Sequence, residues 1–599
     1  SKALLTFMRK IFIIALLAHA LLSSSQMTTV NKFKSMLESY YQEYLQLNPT
    51  TATSIGDYRY NHQLENTLSQ SYRDRSKILF TRYLDSLKRY DQKQLSARDQ
   101  LSYQILQNDL QRNLGRLNYP THLTPISQMG DFRLAFSQLG GGMGNHPFKT
   151  GKDYEDFLQR IDAFVSVTDT AIANMRQGIA AKRVLPKVVV EKVVPQIQAM
   201  ITDTITKSLF YNPIKNLPAH FTTKDKERLT KEYATAIQQK IIPAYQKLLL
   251  FLQNEYIQHA RQPVGMLALE GGEDEYAFLV KAFTTTNLTP DEVFAIGQNE
   301  VKRIHAEMER VKQQVGFTGD LKAFLKYALD DRKFFPFQRD EEVVAAYNQI
   351  YERMKPHLSK QFNMVPKTAF EIRPVEKYRA AATAAHYMRG TADGSRPGIF
   401  YFPVVDATKY HYWRMEDLFL HEAIPGHHYQ LSLQVENPEI PGLQKIGAYG
   451  AYTEGWGLYA ESLGLQLGLY TDPYQRLGQY YGEIHRAIRL VVDAGIHHKG
   501  WTREQAIQYS LDNEPITEAN AIQEIERYIV MPGQALSYKI GELKIMEMRR
   551  KAEKILGKKF DARAFHDEVL KDGAMPLQIF EAKMNRWIQQ ESAGRKASR

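Results

Sequence analysis

Leu, Ile, Val and Tyr recur at three- and four-residue spacing along most of this chain, and that spacing limits its fold more than any other feature. Residues three or four apart share one face of an α-helix, so each such stretch carries an apolar stripe that must be buried against a neighbour. The pattern runs from Gln26 to about Glu255, as in Tyr41 to Leu45 and Ile237 to Phe251. Breaks fall at Asn48-Pro49, Gly130-Asp131, Gly140 to Gly144 and Asn212-Pro213, where Pro removes a donor and Gly or Asn favours a turn. More helices are expected from about Gln262 to Ala381 and again from Trp413 almost to the end. Between them, Phe370 to Pro374 and Gly398 to Pro403 are short, β-rich and bounded by Pro or Gly. The expectation is a mainly α protein with a small sheet, near 370–403, inserted in its helical body. It divides into an N-terminal lobe over 26–260, a second lobe over 261–591 that carries the chemistry, and a C-terminal tail over 592–599.

Composition agrees with a folded chain: 43% of the 599 residues are hydrophobic and 24% charged. Cysteine is absent. That excludes thiol nucleophiles, thiolate ligands, disulfides and lipid on cysteine, so a metal site must use His, Asp and Glu. The net charge is +11, but the basic residues are spread among acids, with no long run. This is the pattern of a solvated basic surface, and no nucleic-acid partner is expected. The run Gly140 to Gly144 lacks the Lys-Ser/Thr of a phosphate loop and follows no strand, so it reads as a loop. At the N-terminus, Arg9-Lys10 precedes the apolar stretch Ile11 to Leu22 and then Ser23 to Ser25. This is the order of a secretory signal, too short to span a bilayer. With Met8 as the start and cleavage after Ala20 or Ser25, residues 1–25 would be signal region. The mature protein would be exported, periplasmic or secreted, without a membrane anchor.

The chemistry concentrates at Leu420-His421-Glu422-Ala423-Ile424-Pro425-Gly426-His427-His428. In the pattern H-E-x-x-H, two histidines four apart share a helix face and bind zinc, and the Glu activates a water. Here the second histidine comes six or seven positions after the first. Six positions rotate about 240° onto another face, and seven move about 10.5 Å along the axis. Pro425 resolves the conflict, because its ring would clash with the carbonyl of His421 four residues back. The helix must bulge or break, Gly426 supplies the freedom, and a two-residue bulge would return His427 to the metal face. His428 is the rival ligand.

A catalytic zinc commonly takes two His and one Glu. Glu454, in Thr453-Glu454-Gly455-Trp456, is the third ligand by this reasoning. Glu461, seven residues on and on the same face, is a candidate to support the site from behind. Further along, Glu526-Arg527-Tyr528 and Pro532-Gly533 to Tyr538 bring polar groups to a helix break. Tyr528 and Arg527, then Tyr538, are candidates to stabilise a developing oxyanion or hold substrate. Asp493 and His497 share a face and read best as a satisfied core pair.

These segments resemble the bacterial family catalogued as domain of unknown function 885. The His421 to His428 string carries the likeness, with Glu454 to Trp456, Arg527 to Tyr538, Asn48 to Asp57 and Gly141 to Asp153. More distantly, the chain resembles helical zinc peptidases related to angiotensin-converting enzyme and thermostable carboxypeptidases. That resemblance implies Glu454 as third ligand and Tyr528 at the oxyanion. It also implies a cleft between two helical lobes, with Gly398 to Phe402, including Tyr401, as a strand along which a peptide lies. The expectation is an exported zinc metallopeptidase acting on short peptides, with Glu422 as base. The metal set is His421, His427 and Glu454, and Tyr538, Tyr401 and His428 face substrate. The alternatives are a non-catalytic peptide- or metal-binding protein and a zinc amidase acting on non-peptide amides.

Overall fold

The computed structural model describes residues 30–594, apart from 143, 382, 392, 393, 395 and 448. The segment expected as a signal lies outside the described residues. The fold is mainly α, with a three-stranded sheet. The last helix, Leu577–Gly594, runs into the segment expected as a tail. No helix among the described residues is long and apolar enough to cross a membrane.

The chain forms two compact units. The first holds the chain up to Arg261 together with Pro441–Ile446. Its helices begin where the sequence provides caps: Ser69 accepts from the Tyr72 amide and Ser96 from the Asp99 amide, and Thr150 closes a capping box with Asp153. Phe33, Leu37, Tyr40, Tyr83, Leu106 and Leu110 form one core cluster. A second anchor is polar. Arg160, fully buried, donates to the Gln63 carbonyl at 2.9 Å, the His146 Nδ1 at 2.9 Å and the Thr53 hydroxyl at 2.7 Å. Each donor bonds an uncharged acceptor, and burial pushes His146 down to about 4, so its ring stays neutral. Gly140 ends the helix Phe132–Gly140, and Gly141-Gly142 form a turn after it. A Cβ on Gly140 would lie 2.4 Å from the Phe157 ring.

The second unit, Gln262–Ile440 and Gly447–Arg599, is built around the helix Pro473–His497, which is buried along most of its length. Helix Pro290–Gln314 packs closely on it at Gly297, where a Cβ would meet the Leu490 Cβ at 2.7 Å. Helix Gly450–Glu461 crosses helix Ser537–Leu556 with two glycines at the contact. A Cβ on Gly541 would sit 1.8 Å from the Ala451 carbonyl oxygen, and one on Gly455 2.5 Å from the Gly541 carbonyl carbon. Only backbones without side chains pass this close.

The sheet comprises β1 (Phe370–Pro374), β2 (His386–Met388) and β3 (Gly398–Phe402), in the order β1-β3-β2. β3 pairs in parallel with β1, Phe370 opposite Gly398, and antiparallel with β2, Met388 opposite Ile399. Its buried Phe400 and Phe402 pack on Tyr347, at 5.1 and 4.5 Å between ring centres. β3, along which the zinc-peptidase resemblance would lay a peptide, is the central strand, and both of its edges carry ladder hydrogen bonds.

Candidate functional site

The helix Met415–Glu422 stops one residue before Ala423, and a new helix, His427–Glu436, starts at His427. The Pro425 segment is therefore a full break rather than a two-residue bulge. The Ile424–Pro425 peptide is cis. Ala423 and Gly426 take ψ values of −107° and −121°, which turn the chain through the break. Gly426 is obligatory, because a Cβ there would lie 1.9 Å from the His421 carbonyl oxygen. Trp456 clamps the turn from outside, its indole N–H donating to the carbonyls of Pro425 at 2.9 Å and Gly426 at 3.2 Å.

The break brings His427 back beside His421. Their rings meet edge to face, 4.9 Å between centres. Glu454 Oε2 lies 3.3 Å from His421 Nε2 and 3.6 Å from His427 Nε2. Among the described residues, His421, His427 and Glu454 form a group whose ligand atoms lie within 4.8 Å of one another. Glu422 borders it, with Oε2 4.0 Å from His427 Nε2. Burial raises the pKa of Glu454, but the His421 and His427 imidazoles beside it more than offset this and hold it well below the usual range.

The string Glu454-Gly455-Trp456-Gly457 is now legible residue by residue. Glu454 joins the histidines, Gly455 permits the helix crossing, and Trp456 clamps the break. Gly457 leaves room for His421, since a Cβ would meet the imidazole Cε1 at 2.7 Å. Behind His421, Glu461 Oε1 lies 2.6 Å from Nδ1, and as acceptor of that hydrogen bond it would leave the Nε2 lone pair for a ligand. Sequence reasoning did not reach what lies behind Glu461. Asp417 sits beside it, both fully buried. Burial, then the neighbouring Glu461, pushes Asp417 well above the carboxylate range, while burial raises Glu461 to about 8. A protonated Asp417 can donate to Glu461, which lowers Glu461 against the burial that raises it. Gly482 makes the space, as a Cβ would fall 2.6 Å from Asp417 Oδ2. Nothing in the local sequence marks Asp417 or Gly482, because helices far apart in the chain bring them together.

The remaining candidates have contacts of their own. His428 turns away, its Nδ1 2.8 Å from the Tyr387 hydroxyl and 3.4 Å from Ser432 Oγ, and burial lowers its pKa to about 4. Tyr401 stacks on His386 across the sheet, 5.3 Å between ring centres. Tyr528 accepts from Arg489 Nε at 2.9 Å and donates to Glu524, so its proton is already committed. Arg527 donates to Gln534 at 2.9 Å, and Tyr538 lies under the Arg489 guanidinium at 4.6 Å. The described contacts thus tie Tyr528, Arg527 and Tyr538 to a cluster around Arg489 and Glu524. Asp493 and His497 are satisfied in the core. Asp493 accepts from Tyr276 at 2.6 Å, and His497 bridges the Met266 amide and the Tyr528 carbonyl at 3.2 and 2.8 Å.

No curated protein matches the chain. Among solved structures, a protein from Colwellia psychrerythraea described as a lipoprotein is similar over 94% of this chain and 99% of its own, with 26% identity and a TM-score of 0.85. Another from Shewanella oneidensis, described as a lipoprotein of unknown function, shares the fold over 92% of this chain and 99% of its own, with 21% identity and a TM-score of 0.74. The family model for the bacterial protein of unknown function DUF885 matches residues 49–584, and the chain belongs to that family.

Proposed function

We propose that the chain is a zinc-dependent metallopeptidase acting on short peptides. The observation that carries this reading is the convergence of His421 Nε2 and His427 Nε2 on Glu454 Oε2, at 3.3 and 3.6 Å, across a broken helix. Zinc bonds of 2.0–2.2 Å set neighbouring ligand atoms of a tetrahedron roughly 3.3 Å apart, so the donor set fits that ion. One further detail favours a metal. Glu461 sits on His421 Nδ1, where the partners of metal-bound histidines sit, and would leave Nε2 for a ligand bond. The buried Nδ1 of His427 has no such partner among the described residues.

A bound zinc would supply a Lewis acid for a scissile carbonyl and would acidify a water. The chain's own residues do the rest. His421, His427 and Glu454 hold the ion, and Glu461 orients His421. Glu422, next to a ligand in sequence but outside the group, takes a proton at Oε2 and returns it to the leaving amine. A residue placed so has no use in a protein that only binds metal, which favours the enzyme over a binding protein. Tyr528 acts at the oxyanion in this reading only once its hydroxyl leaves its hydrogen bond to Glu524, so its contribution is secondary. Export follows from the basic-apolar-small N-terminus, and the lipoprotein description of the 26%-identical Colwellia protein is consistent with an envelope location.

Metal analysis of the purified chain tests the reading, with hydrolysis of a peptide library before and after chelation. About one zinc per chain and cleavage that chelation abolishes and zinc restores are expected. His427→Ala should lose most of the metal and His428→Ala should keep it. A chain without zinc that cleaves nothing, or one whose cleavage survives chelation, contradicts the proposal.

A further inference from the structure

A second cavity lies within the same unit, between helices Pro290–Gln314, Pro473–His497 and Ser537–Leu556, with a volume of about 530 Å³. Among the described residues that line it, none belongs to the His421 group. Its charges are sorted by depth. At the buried end, Lys539, fully enclosed, meets Glu483 at 2.7 Å, Glu542 at 2.6 Å and Glu300 at 3.1 Å. Arg303 pairs with two of these same acids, Glu300 and Glu483. Two cations face three carboxylates there, one negative charge in excess. Burial pushes Glu542 up to about 7, against the pull of Lys539.

The outer end has the opposite balance, with Arg476, Arg549 and Arg550 against Glu307 and Glu553, and Arg549 bonded to Glu553 at 2.9 Å. Arg476 donates to the Tyr480 hydroxyl at 3.1 Å and lies over the Tyr470 and Tyr480 rings, and its buried Nη1 has no hydrogen-bond partner among the described residues. Arg550, exposed, has no carboxylate partner among them either. Between the ends, the side-chain oxygen of Gln479 lines the cavity without a hydrogen bond, although the residue is only 6% exposed. An unfilled acceptor at such depth costs free energy unless something donates to it. Leu543 and Met546 add apolar wall.

We propose that this cavity binds an amino-acid zwitterion with an aliphatic side chain, ammonium inward and carboxylate outward. The ammonium meets Glu542, Glu483 and the Gln479 oxygen, the carboxylate meets Arg476 and Arg550, and the side chain lies on Leu543 and Met546. Neither a plain anion nor a plain cation satisfies both ends. The site does not depend on the peptidase reading, although a peptidase that releases amino acids would supply such a ligand.

Calorimetric titration of the zinc-loaded full chain with L-leucine, N-acetyl-L-leucine and L-leucine methyl ester tests the assignment. Free leucine has no peptide bond to cleave, and the acetyl amide and the methyl ester are assayed for hydrolysis after each titration. Leucine should bind one per chain, with each derivative weaker by on the order of tenfold or more, because each lacks one charge-assisted contact. Arg476→Gln and the surface change Arg550→Gln should each weaken leucine by a similar factor and leave zinc content unchanged. His421→Ala should bind leucine as the parent does. The proposal is overturned if leucine does not bind at millimolar concentration, if the three compounds bind alike, or if both arginine variants bind like the parent. Loss of leucine binding in His421→Ala would place the ligand at the metal group and overturn it equally.

Discussion

At the scale of single residues, the candidate site depends on small groups that keep out of the way as much as on the groups that bind. Gly457 and Gly482 occupy positions where one carbon would displace His421 or the Asp417–Glu461 pair. Glu461 has the most direct effect on binding, through its 2.6 Å bond to His421. Glu461→Gln leaves the size unchanged but replaces a strong acceptor with a weak one, and such partners are worth 10–100-fold in metal affinity. Zinc affinity measured by competition with a chromophoric chelator should fall by about that factor. An unchanged affinity would mean Glu461 only fills space. The sequence alone reached His421, His427, Glu422, Glu454 and Glu461, because all five sit in two short strings with a helical register. It missed Asp417, whose partner lies 44 residues on in the chain, and it could not tell that Tyr528 donates its hydrogen bond to Glu524.

At the scale of elements, the helical pattern and the small sheet were legible, since periods of 3.6 and 2 differ sharply. The strand order was not. Nothing within Gly398 to Phe402 announces that both of its neighbours pair with it. The break at Pro425 was legible as a disruption but not as a complete stop, because its geometry depends on Trp456, a residue of another helix. The glycine crossing of helices Gly450–Glu461 and Ser537–Leu556 gives an element-scale prediction. Gly541→Ala inserts a methyl where only 1.8 Å is free. The helices must separate, at a cost of about 1–3 kcal/mol. Chemical denaturation should show that loss, and because Glu454 rides on the displaced helix, zinc affinity should fall as well. A variant as stable as the parent would show that the crossing is looser than described.

At the scale of the whole molecule, stability carries a pH signature of buried neutral histidine. Burial holds His566 near 3, its ring fixed by the Tyr459 hydroxyl and the Gln361 carbonyl, both at 2.7 Å. An unfolded histidine titrates near 6.5. Below that value the unfolded chain takes up a proton that the folded chain refuses, so the ring's contribution is full above about 6.5 and is lost as pH falls toward about 3. His566→Gln, which can make the same two hydrogen bonds without titrating, should therefore gain on the parent by about 1 kcal/mol per pH unit between 6 and 4. Denaturation of both proteins across that range checks it, and a constant difference would contradict it. The central claim, a peptidase built on the His421 group, is tested most directly by peptide turnover of Glu422→Gln carrying its full complement of zinc. Gln keeps the volume but cannot take the proton, and a positioned base contributes about 10²–10⁴ in rate. The account predicts zinc content equal to the parent and kcat lower by about that factor on the same peptide. Parental kcat at full zinc would contradict it.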